Sequence, residues 1–169
     1  MDFYKLSEKI MGMNADSWEK HSSPKSVYSR YFILPLFSFA VCSRIWIGYY
    51  SLILVLFTVF IAWYNPRAFA KPKSSDNWAS KATFGERIYL RRGQLDIPLH
   101  HFKAIRILTV CTSAGLPVLI YGLCFCNVWA IVLSNITIIT FKTWLLDRMN
   151  WLYEDMKDSS EEFSGWLKL

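Results

Sequence analysis

The sequence predicts an all-α integral membrane protein with four transmembrane helices in two tandem hairpins. Three observations lead there. Tyr31 to Tyr64 is an apolar block in which Arg44 is the single charged residue. A second block, Ile107 to Phe141, repeats the plan without any charge. Of the 19 Lys and Arg, five precede Tyr31, nine lie between the blocks and four follow the second, leaving only Arg44 inside a block. Basic loops stay cytoplasmic, so both termini and the long connecting loop are expected there. Charged residues make up 19% of the chain, below the roughly 25% usual in a soluble domain.

In chain order, residues 1–30 read as a cytoplasmic segment. Phe3, Leu6, Ile10 and Met13 recur at helical spacing. That spacing fits an amphipathic helix on the membrane surface or one packed on the protein's own loops. Ser22-Ser23-Pro24 is a helix-start signal, since proline is tolerated in a first turn. The first hairpin occupies residues 31–64, with helices at about 26–45 and 49–64, Pro35 as a bend and Arg44 to Gly48 as the turn. Asn65-Pro66 reads as the stop of the second helix. Both helices sit near the short end of the spanning range of about 17–25 residues, which leaves a re-entrant hairpin open. Tyr28, Tyr31, Trp63 and Tyr64 at one end and Trp46, Tyr49 and Tyr50 at the other form two aromatic belts, which favours full spanning.

Residues 65–102 form a polar cytoplasmic loop, partly helical through SSDNWASKATFGERIYLRR, with Ser75 or Asp76 as the cap. The second hairpin, 103–146, holds helices at about 103–123 and 128–156, and the latter continues past the membrane. Residues 147–169 are its cytoplasmic extension and tail, in which Phe163, Trp166 and Leu167 are expected to touch the bilayer. Cys42, Cys111, Cys124 and Cys126 match no zinc spacing and read as small packing residues.

Chemistry concentrates on the cytoplasmic rim. His21, His100 and His101 share it with Glu86, Asp147, Glu154 and Asp155. Imidazole and carboxylate suit a divalent metal such as iron or zinc, which makes His21, His100 and His101 the candidate ligands. The plainer alternative is interfacial hydrogen bonding for the histidines and ion pairs for the acids. Arg67 and Arg148 are candidates for lipid headgroups or ion pairs, and Arg44 is expected to snorkel to the far interface. Membrane lipids are the expected partners, with a protein partner in the membrane as a second. Nucleic acid is not expected, because the basic residues do not interleave with aromatics on a polar face. The chain carries no glycine-rich phosphate loop, nucleophile elbow or ionisable path through the membrane.

Several stretches carry a family resemblance: WEKHSSPKSVYSR, SRIWIG, WYNPRAF, NWASKATFGERIYL, PLHH and LLDRMNWLYEDM. Together they resemble a family of small polytopic membrane proteins classed as a domain of unknown function. This resemblance implies a compact multi-helix membrane domain and no established activity. His21-Ser22-Ser23-Pro24 before a first membrane helix is also similar to the His-x-x-Pro element of the Mpo1-like membrane dioxygenases. That likeness implies iron, but the sequence has Tyr31 and apolar residues where a further His is needed. The expected function is that of a multi-pass membrane protein with a His/carboxylate-rich rim, read as an enzyme acting on a lipid or other hydrophobic substrate. The alternatives are a non-enzymatic scaffold or complex subunit, and a small carrier.

Overall fold

The computed structural model describes residues 12–168. The surface helix expected from Phe3 to Ile10 lies outside them, and Met13 precedes the first described helix. All regular structure among the described residues is helical: α1 (Ala15–His21), α2 (Pro24–Ser29), α3 (Ile33–Cys42), α4 (Arg44–Ile47), α5 (Ser51–Ala68), α6 (Trp78–Leu90), α7 (Leu99–Phe125), α8 (Val128–Met156) and α9 (Glu161–Ser164). Single 3-10 turns fill Arg30–Phe32, Gly48–Tyr50 and Lys157–Ser159.

Three helical runs are long and apolar enough to cross a membrane: Pro24–Ala68, Leu99–Phe125 and Val128–Ser159. The first folds back on itself. Gly48 adopts φ +55°, a left-handed backbone that side chains disfavour. Beyond it the chain returns until Ser26 Oγ donates to Asn65 Oδ1 at 3.0 Å, and Asn65 Nδ2 donates to Ser29 Oγ at 2.7 Å. These bonds also explain a departure from the expected helix end. Asn65-Pro66 does not stop α5, which continues to Ala68. Asn65 is pinned to α2, and Arg67 Nη1 donates to the Trp63 carbonyl at 2.8 Å, so side chains support the turn that proline weakens.

The apolar runs are inside-out by the standards of a soluble protein. Only 11%, 22% and 17% of their most apolar windows are buried, and Leu56, Phe57, Ile107, Val110, Leu133 and Ile136 are exposed. Polar side chains within the runs bond inward. Ser38 and Thr58 donate to carbonyls one turn back, and Asn135 Nδ2 reaches Ser38 Oγ of the other hairpin at 3.1 Å. At the far end Arg44 donates to the Leu123 and Cys124 carbonyls at 2.6 and 2.7 Å. It therefore caps α7, where orphan carbonyls and the negative dipole end favour a cation.

The buried apolar core lies at the opposite end. Phe84, Ile88 and Tyr89 of α6 pack on Leu145, Met149, Leu152 and Tyr153 of α8 and on Ile105 and Leu108 of α7. Asn77 caps α6 by accepting from Ser80 N at 3.0 Å, in place of the expected Ser75 or Asp76. Ser75 instead anchors the tail: its N–H donates to the Lys168 carbonyl at 2.8 Å. Of the tail residues expected at the bilayer, Phe163 and Trp166 pack on the protein's own core, and Leu167 is half-buried. Phe163 is buried and Trp166 packs on Phe84, because this core offers them apolar surface.

The tightest contact in the cap is Gly85. A Cβ there would lie 1.8 Å from the Met149 carbonyl oxygen. Only glycine lets α6 approach α8 this closely. Gly85→Ala should destabilise the protein by about 3 kcal/mol, the upper end for overpacking, since backbone rather than a flexible side chain must yield. Gly93→Ala, with open space around it, should be near neutral. Thermal unfolding in detergent checks both, and equal midpoints for the two variants would contradict the close crossing.

Candidate functional site

The predicted rim site divides into two clusters at the cap end of the apolar runs. In the first, His21 at the end of α1 meets Arg30, Glu86 and Lys142. Arg30 Nη1 lies 2.9 Å from His21 Nε2. A guanidinium only donates, so Nε2 accepts and the ring proton sits on Nδ1. Arg30 Nε also donates to the Ser26 carbonyl at 3.2 Å. Lys142 Nζ donates to Glu86 Oε1 at 3.0 Å. His21 Nδ1 and Arg30 Nη2 are buried without a hydrogen-bond partner, which is costly for either group.

The electrostatics are one-sided. Burial, reinforced by Arg30, pushes the His21 imidazole down to about 3, so it stays neutral. Burial alone would raise Glu86, but the Lys142 and Arg30 cations outweigh it and hold the carboxyl at about 2. Two cations therefore face one anion. A groove of about 130 Å³ opens beside them, lined by Arg30, Tyr31 and Lys142 and walled by Leu34, Ile138 and Ile139.

The second cluster joins the first turn of α7 to the last turn of α8. His101 Nε2 lies 2.7 Å from Asp155 Oδ2, and His100 Nε2 lies 3.8 Å from the same oxygen. The helix expected to start at 103 begins at Leu99 instead. Pro98, whose fixed φ suits a helix start, precedes both histidines, so they sit on the helix rather than in a loop. His21 is not part of this cluster. The shared ligation expected of all three histidines is replaced by two local sets, because Arg30 occupies the free nitrogen of His21.

The other candidates are ion-paired or bonded locally. Asp147 accepts from Trp78 Nε1 at 3.2 Å and from Arg148 at 3.1 Å. Glu154 bonds Lys81 and Lys157, both at 2.7 Å. Arg67 stacks over Trp63 and reaches the Gly12 carbonyl. Two residues of the first cluster escaped the sequence reading, although a signal existed. Arg30 directly precedes the first apolar block, and Lys142 directly follows the second. Residues at matching block ends stand at matching depth in a hairpin pair, where cations meet.

Fold and site together define a protein that is all-helical among the described residues, with three helical runs long and apolar enough to cross a membrane and a charged cap at one end of them. The chain belongs to the family described as "Family of unknown function (DUF6653)", which matches residues 5–165. No curated protein and no solved structure matches it.

Both shifted groups act in the same direction on stability. Folded His21 resists protonation between its ordinary 6.5 and about 3, and folded Glu86 does so between 4.5 and about 2. The unfolded chain binds more protons across these ranges, so stability is full above them and lost as pH falls through them. The thermal midpoint should fall steadily below pH 6.5. His21→Gln keeps an acceptor for Arg30 and should flatten the part of this fall above pH 4.5. A wild-type midpoint level from pH 6.5 to 4.5 would contradict a buried neutral His21.

Proposed function

We propose that this is a four-span membrane protein with both termini and the α6 cap in the cytoplasm, holding an anionic lipid headgroup beside Arg30 and Lys142. The hairpin at Gly48 supports two crossings within Pro24–Ala68. The 18 residues of α5 reach about 27 Å, close to the roughly 30 Å hydrocarbon core. The segregated cations favour cytoplasmic placement of the cap.

The observation that carries the lipid reading is the pair of cations, Arg30 and Lys142, lining an apolar groove with Glu86 as their one anion. One helical turn separates Arg30 from Leu34, and one separates Ile138 from Lys142. The groove thus has cations at one level and acyl-compatible walls at the next, as a phospholipid requires. Neutral His21 and the single Glu86 anion leave the cluster one positive charge, and 43% of the Lys142 side chain remains exposed. A phosphate at the groove mouth meets the exposed Lys142 ammonium in a charge-assisted bond, with the Arg30 charge behind it.

The thermal midpoint of the purified chain in neutral detergent should rise with phosphatidylglycerol and not with phosphatidylcholine. Leu34→Trp fills the groove and should remove the rise, and the charge-neutral pair Glu86→Gln/Lys142→Gln should reduce it. An equal response to both lipids, or an unchanged preference in Leu34→Trp, overturns the reading. Mass measurement of the recovered lipid then reads its role: altered lipid is a substrate, and unaltered lipid a structural ligand.

A further inference from the structure

We infer that His100, His101 and Asp155 form a divalent-metal site that takes zinc or ferrous iron and fastens the open end of the second hairpin. It is separate from the lipid groove and does not depend on it.

The topology places these residues where a fastener acts. α7 and α8 are joined at the far end by the tight Cys126-Asn127 connection, in which Cys126 is left-handed at φ 48°. Their other ends, the start of α7 and the last turn of α8, have no covalent link. His100 and His101 stand on one, and Asp155 stands on the other.

The geometry combines a His101–Asp155 hydrogen bond with a second imidazole standing beside the same carboxylate oxygen. The ligand atoms all lie within 4.8 Å of one another. Ligand atoms at metal bonds of about 2.0–2.2 Å stand roughly 3–3.5 Å apart. The observed 2.7 Å from His101 and 3.8 Å from His100 to Asp155 Oδ2 bracket that spacing. A plain His101–Asp155 bond explains the shorter distance only. At 3.8 Å, His100 is outside hydrogen-bond range, yet its Nε2 stands near the same oxygen and its ring lies 4.1 Å from that of His101.

Exposure divides the roles. The His101 side chain is 4% exposed and packed in place, whereas His100 is 70% and Asp155 48% exposed. His101 is the fixed ligand, and the other two close on the ion by side-chain rotation. Two imidazoles and one carboxylate match the preferences of zinc and ferrous iron. Three protein ligands leave further positions open to water or substrate.

The test uses tag-free full-length chain in detergent, stripped with chelator and titrated with Zn²⁺ and, anaerobically, Fe²⁺. Wild type should bind about one ion per chain and its thermal midpoint should rise, since an ion that binds only the folded form stabilises it. His100→Ala changes an exposed residue, so its midpoint in chelator should equal that of wild type. Its metal affinity should fall about tenfold or more, the loss expected even for a supporting residue of a metal site. Asp155→Asn should also weaken binding, and neither variant should alter the phosphatidylglycerol response. If neither ion raises the wild-type midpoint, or if His100→Ala responds as wild type does, the site is a hydrogen-bonded helix pair and the inference falls.

Discussion

The close crossing of α6 over α8 at Gly85 is the contact on which the cap depends. With the Met149 carbonyl occupying the place of a side chain, the two helices lie nearly backbone to backbone. Several other contacts join α6 to α8 along the same crossing. Glu86, the next residue, is delivered to Lys142. Trp78 reaches Asp147 and Lys81 reaches Glu154. Phe84 and Ile88 enter the core beside Met149 and Leu152. The exposed ion pairs contribute little by themselves. Burial of the apolar face and the absence of a Cβ set the geometry, and the charges follow.

The cap and the apolar runs obey opposite solvation rules within one chain. In the runs, apolar side chains point outward and polar ones find carbonyls or each other, as Asn135 does with Ser38. In the cap, Ile88, Leu152 and Phe163 are inside and the charges line the outside. The boundary between the two regimes is where Arg30, Lys142, Glu86 and His21 meet. A desolvated cation there needs an anion, and Glu86 satisfies only part of that need. The boundary consequently holds two buried polar atoms without a partner, His21 Nδ1 and Arg30 Nη2.

The apolar blocks, the break near Gly48, the turn near Cys124 and the continuation of α8 past the second apolar block were all legible in the sequence. Each depends on solvation of contiguous residues or on local backbone preference. The rim location of His100, His101 and Asp155 was legible too, but their grouping without His21 was not. Arg30 captures His21 through a bond between residues nine apart, and no periodicity encodes that choice. Pro66 shows the same limit. Its local meaning is a stop, but Asn65, held by Ser26 and Ser29 from 39 and 36 residues away, overrides it.

The sequence by itself determined which segments are long and apolar enough to cross a membrane, because that depends on the hydropathy of neighbouring residues. It also determined the hairpin plan, because glycine and turn residues act locally. Only the tertiary structure decided which charges meet, which histidine stays neutral and where the tail aromatics go. Those outcomes depend on side chains brought together across the chain by one close helix crossing, and on the burial that this crossing creates.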